Sequence, residues 1–246
     1  MRITSWNILH IVHEIKFVGK ESIPISAFNI YDKRSNEKQR MNAILNTINE
    51  HLNASTTEPI VICLQEVPGD YLTELNKLKD VNVISYQYPR MPSLKSGMGA
   101  SPYTDISEHI VTLVKNTSIE ALPVVQFDDP GKACLAVRIG DVTINNVHMP
   151  FGDEHLSKAL KQINTEGKQI ICGDFNSSPD RLGLILHGSN GKLVVNNIVT
   201  HKTIKNGTIT PKIYDHFVFY NMPTTGIEVK VQEVNTSDHF PISIVV

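Results

Sequence analysis

Asp174 and Asn176 follow an apolar run, Gln169-Ile170-Ile171-Cys172, and a glycine, Gly173. Two residues apart, they point the same way in extended backbone. A carboxylate and an amide side by side at the end of a buried strand can hold and activate one water. The same letters also describe a strand followed by a polar turn. Gly173 lets the backbone turn sharply and approach a ligand closely. Other apolar runs end alike: Trp6-Asn7 after the first, Leu64-Gln65-Glu66 after Ile60–Cys63, and His148 after Thr143–Val147. Thr236-Ser237-Asp238-His239 precedes the last. Such a strand presents its acid, amide or imidazole at the edge of the core. One ending of this kind is ordinary; five make up the inventory of a metal-assisted hydrolase.

Positioning these groups requires many strands. Strand-like runs are Arg2–Trp6, Ile60–Gln65, Val81–Tyr86, His109–Lys115, Leu122–Phe127, Cys134–Ile139, Val142–Val147, Gln169–Cys172, Leu193–Val199, Phe217–Tyr220, Ile227–Val234 and Ile242–Val246. Val, Ile and Leu dominate them, as buried strands require. Helices are fewer. Met41, Ile44, Leu45, Ile48 and Leu52 form one apolar stripe at helical spacing,, with Asn36 and Gln39 as a capping pair at its start. Tyr71, Leu72, Leu75 and Leu78 make a second stripe, and Leu156, Ala159, Leu160 and Ile163 a third. Pro179 opens a short fourth carrying Leu182, Ile185 and Leu186,. His10–Asn36, Pro89–Asp105 and Thr200–Lys212 lack periodicity and read as long, functional loops. The pattern predicts two packed sheets with helices outside, one α/β domain spanning residues 1–246.

At 246 residues the chain buries roughly three-quarters of its unfolded surface and needs no disulfide or metal to fold. The net charge of −2 removes the basic bulk of many nucleic-acid binders, but a local basic groove would suffice. Cys63, Cys134 and Cys172 each sit in an apolar segment, with no C-x-x-C pair, and read as buried free thiols in a reducing compartment. No basic-then-apolar leader opens the sequence and no apolar run reaches the 18 residues of a membrane span,. These features predict an intracellular, cytoplasmic protein with no obligate protein partner. Gly19-Lys20-Glu21-Ser22 is not a phosphate loop, because the upstream glycine is missing,.

Six motifs carry a resemblance. They are Ser5-Trp6-Asn7-Ile8-Leu9, Leu64-Gln65-Glu66-Val67, Asn146-Val147-His148-Met149, Gly173-Asp174-Phe175-Asn176, Tyr214-Asp215-His216-Phe217 and Ser237-Asp238-His239-Phe240-Pro241. In this order and wide spacing, over nearly the whole chain, they resemble the endonuclease/exonuclease/phosphatase superfamily, the DNase I-like fold. The resemblance implies a four-layer α/β/β/α sandwich, two mixed β-sheets packed face to face with helices outside. Its wording at Ile171–Pro179 and Asp215–Tyr220 looks most like the CCR4/nocturnin-type branch, which trims RNA 3′ ends or cleaves nucleotide phosphates. The chain departs from that branch at Ser107-Glu108-His109-Ile110-Val111, where an Asp-Gly-Cys-Ala is usual.

Hydrolysis of a phosphate ester is among the slowest uncatalysed reactions. It needs a positioned water, charge relief on the phosphate and help for the leaving oxygen. Oxygen ligands from Glu66, Asp238 and Asn7 suit Mg²⁺, with Mn²⁺ substituting; Glu66 is expected to be the principal ligand. Asp174 accepts the proton of the attacking water or orients it, and Asn176 holds Asp174 or a phosphate oxygen. His239 contacts the phosphate, and Asp215 resembles the family carboxylate that fixes its ring, the alternative being a strand-edge acid. His148 resembles the histidine that DNase-type and sphingomyelinase-type members use near the leaving group, the alternative being a structural histidine. Glu108 is its possible support. His216 is expected to point away. His10, His13, His51, His155, His187 and His201 read as polar surface or loop. Tyr86, Tyr88 and Tyr103 read as packing more than as base-stacking rings. Arg90, Lys95, Lys202 and Lys205 are the candidate substrate-binding cations. The reading is a Mg²⁺-dependent phosphodiesterase of nucleic acid or nucleotides, with RNA 3′ ends foremost. Alternatives are a small-molecule or lipid-headgroup phosphoesterase, a tyrosyl-DNA phosphodiesterase-like repair enzyme and, last, a dead scaffold.

Overall fold

The computed structural model describes residues 1–12, 34–93, 101–205 and 208–246. In chain order the strands are β1 (Arg2–Asn7), β2 (Ile60–Pro68), β3 (Val81–Gln87), β4 (Glu108–Lys115), β5 (Glu120–Ala121), β6 (Val125–Gln126), β7 (Ala133–Ile139) and β8 (Val142–His148). They continue with β9 (Lys168–Asp174), β10 (Gly191–Val194), β11 (His201–Lys205), β12 (Thr208–Lys212), β13 (Asp215–Tyr220), β14 (Lys230–Val231) and β15 (Ile242–Val245). Helices are α1 (Arg34–Leu52), α2 (Gly69–Leu75), α3 (Asp153–Gln162) and α4 (Pro179–Leu186).

One sheet has the order β14-β15-β1-β2-β4-β3, and the other β10-β13-β9-β8-β7-β5, with β6 also paired to β7. Both are mixed: β1–β2 and β8–β9 are parallel, their other pairings antiparallel. The period of two sorts the side chains into layers. Ile3, Val61 and Cys63 of the first sheet meet Ile144, Ile170, Cys172, Phe217 and Phe219 of the second in the central core. On the far face of the first sheet, Trp6, Ile60, Ile62 and Leu64 pack beneath Ile44, Ile48 and Leu52 of α1 and Tyr71 and Leu75 of α2. Burying each of those aliphatic side chains stabilises by about 1.5–3 kcal/mol. Beyond the second sheet, Val147, Ile171 and Val218 pack against Leu156 and Leu160 of α3 and Leu182 and Leu186 of α4. The result is the expected four-layer sandwich.

Several boundaries differ from expectation. Leu122–Phe127 is not one strand; Pro123 lies between β5 and β6, and a proline cannot donate to a ladder. Leu193–Val199 stops at Val194, where the Asn196 side chain takes up the Ile198 N–H at 2.9 Å. Of Ile227–Val234 only Lys230–Val231 pairs. The aperiodic Thr200–Lys212 is a hairpin, β11–β12. α1 is already helical at Arg34, so Asn36 does not begin it. α2 ends at Leu75, short of Leu78. Most of the loop expected over His10–Asn36, including His13 and Gly19–Ser22, lies outside the described residues, as does part of Pro89–Asp105. The three cysteines are free and buried, with the Sγ atoms of Cys63 and Cys172 3.5 Å apart across the sheets. No described helix is long and apolar enough to cross a membrane.

Candidate active site

The inner-face rows of five strands turn polar at the same end of the sandwich. They run Ile3-Ser5-Asn7, Val61-Cys63-Gln65, Ile144-Asn146-His148, Ile170-Cys172-Asp174 and Phe219-Phe217-Asp215. Strand register aligns them: Asn7 lies beside Gln65, and Asp174 lies between His148 and Asp215. Gly173 makes this alignment possible. It has φ +152, and a Cβ there would stand 1.9 Å from the Val147 carbonyl oxygen.

Asp174 is the hub. Its Oδ1 accepts the Asn176 backbone N–H at 2.8 Å, and its Oδ2 accepts Asn7 Nδ2 at 3.2 Å. That oxygen is 3.5 Å from His148 Nε2 and 3.8 Å from His239 Nε2. Asn7 Nδ2 also reaches Glu66 Oε1 at 3.1 Å, while Glu66 Oε2 accepts the His10 backbone N–H at 3.1 Å. Glu66 Oε1 lies 3.6 Å from His148 Nε2. Glu66, Glu108 and His148 bring ligand atoms within 4.8 Å of one another. Across the hub, Asp215 Oδ2 accepts from His239 Nδ1 at 2.9 Å. The His239 backbone is fixed by its N–H to Ser237 Oγ at 3.2 Å and by Trp6 Nε1 on its carbonyl at 3.1 Å.

Burial pushes the Asp174 carboxyl up; His239 and Lys132 pull it down, and Asp215 reinforces the rise. Burial alone would depress His239, but Asp215 and Asp174 outweigh it and lift the imidazole to about 10. His239 is therefore a cation at neutral pH, able to donate from both ring nitrogens. Burial would raise Asp238, but His201 and His239 hold it well below the usual carboxylate range. Burial lowers Lys132, opposed by Asp174, Glu66 and Glu108.

The donor set fits a hard divalent cation. Glu66, Glu108 and Asp174 place three carboxylates around His148, with the buried amine of Lys132 against its ring. Carboxylate oxygens at this density suit Mg²⁺ or Mn²⁺. Asn7 is not posed as a ligand: its Oδ1 accepts the Leu9 N–H at 3.0 Å and its nitrogen faces the acids. Ligation would require a half-turn of the amide. Asp238 stands with His201 and His239 in a second cluster of ligand atoms, its Oδ2 3.4 Å from His201 Nε2. A third cluster, Asp174, Asp215 and His239, shares His239 with it. The Asn176 side chain donates to the Met149 carbonyl at 2.8 Å, so its backbone, not its amide, holds Asp174. His216 turns away to the Ser177 carbonyl at 2.8 Å.

Three residues escaped the sequence reading. Lys132 is buried against His148 Nε2; its signal was a charge at the start of an apolar strand whose Ala133 pairs with His148. His201 is buried beside Asp238, its ring stacked on Tyr214, and His10 is fully buried, so neither is surface. Tyr88 and Tyr103 are buried, and Tyr88 Oη lies 3.4 Å from His148 Nδ1. Of the candidate substrate cations, Arg90 pairs with Asp129 at 3.4 Å and Lys202 with Glu233 at 3.1 Å. The Lys202 ammonium also sits 4.7 Å from the Phe240 ring. Lys95 and the Lys205 side chain lie outside the described residues.

The model of the Endonuclease/Exonuclease/phosphatase family matches residues 4–239. The chain belongs to that family, and it is a metal-dependent hydrolase of phosphate esters. No curated protein sequence matches it. Among solved structures it is similar to ANGEL2, a 2′,3′-cyclic phosphatase, at 12% identity and TM-score 0.60, covering 99% of this chain and 93% of that one. It is similar to the human nocturnin catalytic domain with bound sulfate, at 14% and 0.61, covering 99% and 92%. D. rerio TDP2 with a single-strand DNA product is a further likeness, at 12% and 0.61, covering 99% and 97%. At these identities the likenesses show the fold.

Proposed function

We propose that residues 1–246 act as one catalytic domain, a Mg²⁺-dependent phosphodiesterase of nucleic acid or nucleotides, with RNA 3′ ends as the leading substrate. The observation that carries the proposal is Asp174, bonded on one side to the Glu66 half of the site through Asn7 and facing the His239–Asp215 pair on the other. In this reading Glu66 leads the residues that would hold the cation, with Glu108 beside it and Asp238 supporting from the His239 side. The cation would relieve charge on the phosphate and on the leaving oxygen.

The chain's own residues do the rest. Asp174 takes a proton from the water that attacks phosphorus, its raised pKa suiting it to the task,. The Asn176 N–H and Asn7 Nδ2 keep its two oxygens aimed. His239, charged and fixed by Asp215, donates from Nε2 to the non-bridging oxygen that gains charge,. As the bond to the leaving oxygen breaks, His148 supplies the proton that oxygen takes up. Lys132 lies directly against that imidazole.

The likenesses to ANGEL2, a 2′,3′-cyclic phosphatase, and to TDP2 with its single-strand DNA product support a nucleic-acid or nucleotide substrate over a small-molecule or lipid-headgroup ester. The three buried free thiols support a reducing, cytoplasmic setting,. The test is a panel of oligo(A), single-stranded DNA, tyrosyl-linked DNA, an inositol phosphate and sphingomyelin, each with Mg²⁺ or EDTA and with Asp174→Ala alongside. Metal-dependent shortening of oligo(A) is the expected result. Turnover of another substrate alone reassigns the specificity, and turnover that survives EDTA or Asp174→Ala refutes the mechanism.

A further inference from the structure

Buried amides bridge the two sheets one layer beneath the site. Asn146 of β8 is fully buried, two residues before His148 on the same inner face. Its Nδ2 donates to the Val111 carbonyl at 2.9 Å, the Leu64 carbonyl at 3.3 Å and Thr112 Oγ1 at 3.2 Å, all in the opposite sheet. Its Oδ1 accepts from Gln65 Nε2 at 2.7 Å. Gln65, also fully buried, reaches Ser5 Oγ at 3.2 Å and the Cys63 carbonyl at 3.3 Å. The central core beneath them is apolar, Val61 and Cys63 facing Ile144, Ile170 and Cys172. An amide pair inserted there would be costly without these bonds.

The bonds converge on an irregularity. β2 and β4 pair in register up to Leu64 opposite Val111 and resume at Val67 opposite His109. Gln65 and Glu66 together therefore oppose one residue, a bulge that disrupts the ladder and re-aims a side chain. Glu66 sits there at φ +55, a conformation costing on the order of 1–3 kcal/mol for a residue of this type. Surrounding structure must hold it. Asn146 supplies the donor to the Leu64 carbonyl at the bulge, and Gln65 is anchored within the bulge itself.

We infer that Asn146, acting with Gln65, is a positioning residue. The cross-sheet amide bridge holds the Leu64–Val67 bulge and so keeps the Glu66 carboxylate aimed at the divalent-cation site. This rests on the reading of Glu66 as cation ligand. Without the bridge the Leu64 and Val111 carbonyls lose a buried partner and Glu66 is free to relax towards ordinary strand geometry, carrying its carboxylate off the site. Outer partners of metal ligands typically govern affinity by about 10–100-fold.

The test is Mn²⁺ binding to the purified full chain, read from the electron paramagnetic resonance of the free ion, without substrate. Asn146→Leu keeps the volume and removes the bridge; about tenfold weaker Mn²⁺ binding is expected. Leu160→Ala, a cavity in the outer core, serves as the control that lowers the melting temperature without moving Mn²⁺ affinity. Glu66→Gln reports on the underlying reading and should weaken binding at least as much. Wild-type affinity in Asn146→Leu alongside weak binding in Glu66→Gln overturns the positioning role alone. Wild-type affinity in Glu66→Gln overturns the cation reading and the inference with it. Should Asn146→Leu not fold, Gln65→Met decides: a loss of several-fold supports the bridge, and unchanged affinity overturns it.

Discussion

Replacing Arg40 by methionine removes a buried cation that ties two site-bearing segments together. Arg40 lies in α1 with its side chain 1% exposed, paired to Glu37 at 2.7 Å. Its Nη1 donates to the carbonyls of Ile8 at 2.7 Å and Thr236 at 2.8 Å, and its Nη2 to that of Leu9 at 2.9 Å. Ile8 and Leu9 follow Asn7; Thr236 precedes Ser237, whose Oγ closes the ring on the Asn7 carbonyl at 2.8 Å. Glu37 Oε1 also accepts from Tyr71 at 2.8 Å and Tyr103 at 2.7 Å. Burial works against the Arg40 charge, but Tyr71 and Glu37 more than offset it. Arg40→Met leaves Glu37 charged and buried and three carbonyls without their donor. Breaking a buried pair on one side costs about 3–5 kcal/mol. For a chain of this size that lowers Tm by roughly 6–20 °C, at about 2–4 °C per kcal/mol. Arg40→Met with Glu37→Gln removes the stranded charge and should recover part of the loss. Urea unfolding followed by the single tryptophan, Trp6, measures it, because that indole is buried and bonded to the His239 carbonyl. A loss below about 1 kcal/mol, or a double variant no better than Arg40→Met, would refute the reasoning.

Three further expectations follow from the same geometry. Gly173→Ala drives a Cβ into the Val147 carbonyl, so β8 and β9 must separate; circular dichroism melts should show a much less stable protein, and a wild-type melt contradicts the packing. His239 is raised from 6.5 to about 10, so the stability its charge contributes is fully present below pH 6.5 and lost as pH rises through 10. The urea midpoint of the wild type should therefore fall more steeply from pH 7 to 10 than that of His239→Gln, and parallel curves reject the pairing. Asp174→Asn should slow single-turnover cleavage of the substrate found in the panel by about 10²–10⁴-fold with the fold retained; a loss under tenfold removes Asp174 as the proton acceptor.

The sequence by itself determined the layers. Short runs dominated by Val, Ile and Leu,, and the helical stripes of α1 to α4, leave few ways to bury these faces other than two sheets with helices outside. It also named the polar groups at the strand ends, because an apolar run that stops at Asn7, Glu66, His148 or Asp174 shows where the core stops; Asp215 was legible only through the family resemblance. Local rules failed where tertiary pairing overrode them. Thr200–Lys212 has no alternation, yet it forms a hairpin joined to the site loop by Lys202 N–H on the Asp238 carbonyl and Phe240 N–H on the Thr200 carbonyl. That joining delivers His201 to Asp238, which no spacing foretold. Lys132 reaches His148 through the register of β7 on β8, a contact between strands and not within one. Only the assembled structure decided how the acids divide, with Glu66 and Glu108 at His148 and Asp238 at His201 and His239. It also turned the Asn7 nitrogen, not its oxygen, towards them. The reason is physical: period and composition fix which face a side chain takes, while its partner depends on register, bulges and the packing of sheet against sheet.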